Sequence, residues 1–103
     1  MEMLIFSIRE YFNRGFGLFF ISLAKWKNTP TKESTDKATK TLEELEKQGI
    51  KFRLYWTLGR YDAVVIVEAP TEKDAMKALL RFQGLVATET MVAVPREEAI
   101  KLI

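Results

Sequence analysis

An α+β fold made of two β-α-β halves is the class this sequence predicts, and three observations predict it. Two runs, LFFISLAKW and AVVIVE, are apolar at most positions on both alternating sets, the pattern of strands covered on two sides. A third run, IKFRLYWT, alternates cleanly and meets AVVIVE through a short turn containing glycine, which reads as a hairpin with an outer strand. Two helical stretches follow, one after the first of these runs and one after AVVIVE, each opening at a threonine able to cap and closing near a glycine.

Taken in order, residues 1–16 read as an N-terminal amphipathic extension. Met1, Leu4, Ile5, Ile8, Tyr11 and Phe12 recur at helical spacing. Arg9 and Glu10 interrupt the apolar run too soon for a signal peptide or a membrane span, and the mixed polar face does not suit a membrane surface. Packing on the chain's own domain or on a neighbouring subunit is the expectation. Residues 17–103 form the domain proper. Its first strand sets Leu18, Phe20, Ser22, Ala24 and Trp26 against Phe19, Ile21 and Leu23. Thr29 and Pro30 predict a helix start, Gly49 its end, and Ala38, Leu42 and Leu45 a thin apolar stripe. Ile50, Phe52, Leu54 and Trp56 predict the buried side of an edge strand. Thr71 to Asp74 resembles a capping box and opens a second helix with Ala75, Ala78, Leu79 and Phe82 on its inner side and Gly84 at its end. LVATETMVAV makes the last strand, Pro95 breaks it, and REEAIKLI makes a short terminal helix.

Strand, helix, strand, strand, helix, strand is the ferredoxin-like βαββαβ order, a four-stranded antiparallel sheet with the first and third strands in the centre. Two helices cover one face of such a sheet. Four or five large apolar side chains left wet on the other would forgo roughly 6 to 15 kcal/mol of burial, comparable to a domain's whole net stability of about 5 to 15 kcal/mol. A second copy laid face to face, giving a dimeric α/β barrel, is the expected cover; the chain's own ends are the alternative. With the first and third strands taken as parallel, the turn at Gly59 to Asp62 is expected beside Gly17, Pro95 and Arg96, in a shared pocket or subunit seam.

Composition narrows the function further. The chain of 103 residues is 48% hydrophobic and 29% charged, with a net charge of +2, too small to argue for nucleic acid. Lys25, Lys27, Lys32 and Lys37 cluster slightly, but Glu33 and Asp36 lie among them. Cysteine and histidine are both absent, which excludes disulfides, thiolate zinc sites, cysteine nucleophiles, histidine-bearing triads and histidine-ligated haem. No Gly-rich phosphate loop precedes a helix, so no cofactor and no metal are expected. A cytoplasmic protein is the default, and the lack of cysteine beside abundant Lys and Glu leans toward a thermophilic source.

The candidate residues gather at the turn. Gly59 supplies the positive φ of a tight hairpin. Arg60 is a solvated loop residue or a grip for an anion. Tyr61 offers its hydroxyl to a ligand or its ring to a subunit seam. Asp62 is a general base or ligand anchor on one reading, and on the other an acceptor for the turn's own amides. Glu89, in mid-strand, needs a partner such as Arg53 or Arg81 if buried, and inside a barrel it would act as an acid or base. Glu68 reads as the end of its strand, and Trp26 and Trp56 as apolar fillers before ligand-stacking surfaces.

The pieces YWTLGRYD, AVVIVEAP and ATETMVAV resemble the GYD domain family, whose naming residues correspond to Gly59, Tyr61 and Asp62. The likeness runs from about Leu18 to the terminal helix, and residues 1–16 depart from it. The resemblance implies a ferredoxin-like protein from a family with no agreed activity. A looser similarity, to the ligand-binding domains of Lrp/AsnC-type regulators, implies a stand-alone effector-binding module, since no segment here fits a helix-turn-helix. Three readings follow: a homo-oligomer that binds a small ligand or is structural at its interface, a cofactor-independent enzyme of the dimeric α/β barrel type, and, least supported, a nucleic-acid binder through Lys25 and Lys27. No catalytic motif is present, and on the enzyme reading Glu89, Asp62 or Tyr61 would move the protons.

Overall fold

The computed structural model describes residues 18–103; the reading of residues 1–16 as an amphipathic extension lies outside them. The elements are β1 (Leu18–Trp26), α1 (Lys32–Lys47), β2 (Lys51–Trp56), β3 (Ala63–Ala69), α2 (Glu72–Leu80), β4 (Val86–Ala93) and α3 (Arg96–Ala99), the last running into a 3-10 turn at Ile100–Leu102. Strand order is β2-β3-β1-β4, so β1 and β3 are central and every neighbouring pair is antiparallel, the ferredoxin-like arrangement.

Local chemistry sets the helix ends. Thr31 accepts from the Ser34 amide at 3.0 Å while Ser34 Oγ accepts from the Thr31 amide at 2.9 Å, so two otherwise orphaned donors are satisfied reciprocally. The cap therefore falls two residues later than Thr29, and Pro30 precedes the helix. After Gln48 the chain turns through Gly49 at φ 90°, a conformation glycine adopts without strain. Thr71 caps α2 through the Asp74 amide at 3.1 Å, and α2 ends at Leu80, ahead of the turn that contains Gly84.

One expectation is overturned. β1 and β3 run antiparallel, pairing Leu18 with Ala69 and Ala24 with Ala63. The crossover through α1 makes β1 parallel to β2, and the hairpin then reverses β3 into the gap between them. The Gly59 to Asp62 turn consequently lies beside Trp26 and the start of β4, at the opposite end of the sheet from Pro95 and Arg96.

Both helices pack on one face of the sheet. Phe20, Val67 and Ala69 from the central strands meet Leu45 of α1, Ile50, and Ala75 and Ala78 of α2, all buried. On the other face Phe19, Ile21, Leu23, Val64 and Ile66 are half-buried, and among the described residues no helix makes an extended contact there. No helix of the described residues is long and apolar enough to cross a membrane.

Candidate functional site

The buried contacts of the helical layer all sit at one end of it. Towards the other end the central strands carry small residues, Ser22 and Ala24 on β1 and Ala63 on β3, and α1 carries Ser34, Thr35 and Ala38 above them. Small side chains facing small side chains across a fixed helix–sheet distance leave space, and an open cleft of about 490 Å³ results. Its walls include Trp26, Leu42, Phe52, Trp56, Val65 and Phe82, and none of its lining residues is ionisable. Two edge-on aromatic pairs stand in the walls: Trp26 with Trp56, centroids 5.1 Å apart, and Phe52 with Phe82, at 6.4 Å. Trp56 and Leu54, predicted as the buried side of β2, are exposed because they face this cleft and not a packed helix. Ser22, wholly buried, shares a 2.9 Å hydrogen bond with Thr90 on the neighbouring strand.

The turn closes this end of the sheet. Gly59 has φ 139°, in the region that favours glycine, and an added Cβ there would meet only open space, so backbone conformation alone requires it. The Thr57 amide donates to the Asp62 carbonyl at 2.9 Å and the Thr57 hydroxyl to the Tyr61 carbonyl at 2.7 Å, which fixes the loop. Asp62 then does two things to β1. Its amide donates to the Ala24 carbonyl at 2.8 Å, and its Oδ2 accepts from the Trp26 amide at 2.8 Å. The carboxylate thus extends the β1–β3 ladder one step past the last backbone pair and holds Trp26, a wall of the cleft, against the sheet. It serves a neighbouring strand's amide, where the sequence suggested those of its own turn.

Tyr61 crosses the end of β1 and donates its hydroxyl to Glu89 Oε1 at 2.7 Å. That hydrogen bond, together with desolvation and the carboxylate's charge, pushes the phenol pKa above its ordinary value, with Arg60 opposing slightly. The partners proposed for Glu89 are both elsewhere. Arg81 binds Glu44 at 3.0 Å across the helical layer. Arg53 belongs to β2, on the far edge from β4 and about 14 Å away at three strand spacings. Arg60 is exposed on the turn and Lys27 donates to the Gln83 carbonyl at 2.6 Å. Glu68, read from sequence only as a strand end, is half-buried in register with Lys51 and Phe19; desolvation raises its pKa against the opposing pull of Lys51 and Arg53.

The structure therefore brings Tyr61 and Glu89 together, gives Asp62 a different partner, and leaves Gly59 and Arg60 to shape and expose the turn. Sequence reasoning missed Thr57 and the cleft. The available signal was Ser22 within an apolar stripe, facing a helix whose own stripe is thin. Among the described residues no group of His, Cys, Asp and Glu is placed to hold a metal ion.

A crystal structure of a dimeric ferredoxin-like protein of unknown function from Thermobifida fusca YX is similar to this chain at 19% identity. The match covers 75% of this chain and 91% of that one, with a TM-score of 0.47. No curated protein matches. The GYD domain model matches residues 20–103, which include the turn, the strands and both helices just described, and the chain belongs to the GYD domain family.

Proposed function

We propose that this protein is a self-associating module that binds a small molecule, two copies meeting through the face of the sheet opposite α1 and α2. The observation that carries self-association is the row Phe19, Ile21, Leu23, Val64 and Ile66, five large apolar side chains held side by side and half-buried. At most about a third of each side chain is still exposed, so completing their burial is worth up to ~0.5 to 1 kcal/mol each, or roughly 2 to 5 kcal/mol per copy. Two copies together gain about twice that, which meets the lower part of an association cost of about 4 to 15 kcal/mol. The edges are suited to a polar rim, with Lys51 and Arg53 on β2 and Glu89 on β4. Binding rather than catalysis is supported by the chemistry of the cleft, whose lining offers hydroxyls and rings but no acid or base.

Light scattering at micromolar concentration tests the assembly. The expected mass is twice that of one chain, and Ile66→Lys, which puts a charge at the centre of the open face, is expected to halve it while leaving the circular dichroism unchanged. A wild-type mass equal to one chain overturns the proposal.

A further inference from the structure

We infer that the cleft between α1 and the sheet is a binding site for an uncharged, flat, mostly apolar molecule carrying a single hydroxyl or carbonyl group. The assignment rests on the small-molecule part of the reading above and not on self-association, because every residue it uses belongs to one copy.

Size, charge and shape each point to that class. A space of about 490 Å³ lies within the range that encloses drug-sized ligands, about 300 to 1,000 Å³. An ionised ligand would lose hydration there and find no counter-charge, a penalty of several kcal/mol that the lining cannot offset. The aromatic pairs Trp26–Trp56 and Phe52–Phe82 present ring edges and faces from separate walls, the arrangement that receives a planar ring system. The α1 hydroxyls in the lining, Ser34, Thr35 and Thr39, donate to backbone carbonyls one turn back, whereas Thr88 stands in the floor on β4, opposite Ala24 and one diagonal step from Ser22. Ser22 is wholly buried and engaged with Thr90, so the exposed Thr88 hydroxyl, which donates one proton and accepts on two lone pairs, is the floor group able to meet a ligand hydroxyl or carbonyl. A separate depression of about 450 Å³, between α1 and the turn that follows α2, carries the charged residues Glu33, Lys37 and Arg81, none of which lines the cleft.

The test titrates the full-length protein with uncharged N-phenyl-1-naphthylamine and with its sulfonated relative 1-anilinonaphthalene-8-sulfonate, following probe and tryptophan fluorescence. The neutral probe is expected to saturate at one per chain and to bind at least about tenfold more tightly than the sulfonate. Two fill-in variants, Ala38→Phe and Thr35→Trp, are each expected to weaken it about tenfold or more with unchanged circular dichroism and oligomer mass. Saturable binding that neither variant weakens places the ligand elsewhere and overturns the cleft while leaving the small-molecule reading standing. Equal or tighter binding of the sulfonate overturns the ligand class. Absence of saturable binding by the neutral probe overturns both the cleft and the small-molecule reading.

Discussion

The two ends of the helix–sheet layer use the same elements and reach opposite results. At one end Leu45, Ile50, Phe20 and Val67 close on Ala75 and Ala78, and Leu45 and Val67 have no exposure at all. At the other end the same α1 passes over Ser22, Ala24 and Ala63 with Ala38 and Thr35 facing down, and the cleft opens. Helix and sheet do not bend to close a gap of this kind, because both are stiff and their separation is set where they pack well. The filled end thus acts as a spacer that keeps the other end hollow, and stability and binding are assigned to different halves of one layer.

Substitutions that change volume break this comparison most sharply. Leu45→Ala removes a fully buried side chain from the filled end and is expected to cost ~2 to 5 kcal/mol in chemical denaturation. Ala38→Leu adds nearly the same atoms at the hollow end, where a packed interior would charge ~1 to 3 kcal/mol for overpacking. The expectation here is no loss, or a gain of up to ~1 kcal/mol, as the new side chain enters existing space. A loss above ~2 kcal/mol for Ala38→Leu would mean that the cleft is not free to accept volume.

The filled end was legible in the sequence and the hollow end was not, for physical reasons. Periodicity reports which way a side chain points, so the strand order, the central position of β1 and β3, and the inner sides of both helices followed from it. It does not report whether the opposite wall is near enough to touch. Ile50, Phe52, Leu54 and Trp56 share one alternating face, yet Ile50 is buried and Trp56 is 64% exposed, because α1 covers only the first part of that face with large residues. The direction of β3 was within reach: a right-handed crossover followed by a hairpin admits only the antiparallel answer. With that applied, Tyr61 and Asp62 would have been placed beside Trp26. The partners of Glu89 and Asp62 were beyond pattern reasoning, since each depends on how far a turn folds across its neighbour.

Asp62 joins the hollow end of the layer to the turn, and its removal is expected to have the next largest effect. Asp62→Ala leaves the Trp26 amide without its acceptor, at ~1 to 3 kcal/mol, and frees Trp26 from the position where it walls the cleft. Stability and neutral-probe affinity should fall together. Asp62→Asn keeps an acceptor oxygen and is expected to lose less than half as much of either. Gly59→Ala has a loss of similar size, ~1 to 3 kcal/mol, from backbone conformation alone, since no neighbour would be struck. Its probe affinity should be closer to wild type. A Gly59→Ala variant whose affinity falls as far as that of Asp62→Ala would show that the loop as a whole, and not the Asp62–Trp26 bond, holds the cleft wall.

The smallest expected effect concerns Tyr61 and Glu89, which tie the turn to β4 over the end of β1 on the open face. Because the folded phenol's pKa is raised, the neutral hydroxyl is favoured in the folded state. The stabilisation it contributes is fully present below the ordinary phenol value of about 10 and is lost as pH rises through the higher folded value. The melting difference between wild type and Tyr61→Phe should therefore be flat across neutral pH and shrink only in alkali. Ultraviolet titration reads the same group directly. Tyr61 should ionise above the ordinary phenol value in the wild type, and in Glu89→Ala, which removes both the hydrogen bond and the charge, that transition should move down toward it. If Tyr61 does not titrate late in the wild type, the turn is not held to β4 by this bond, and Thr57 and Asp62 position it without β4.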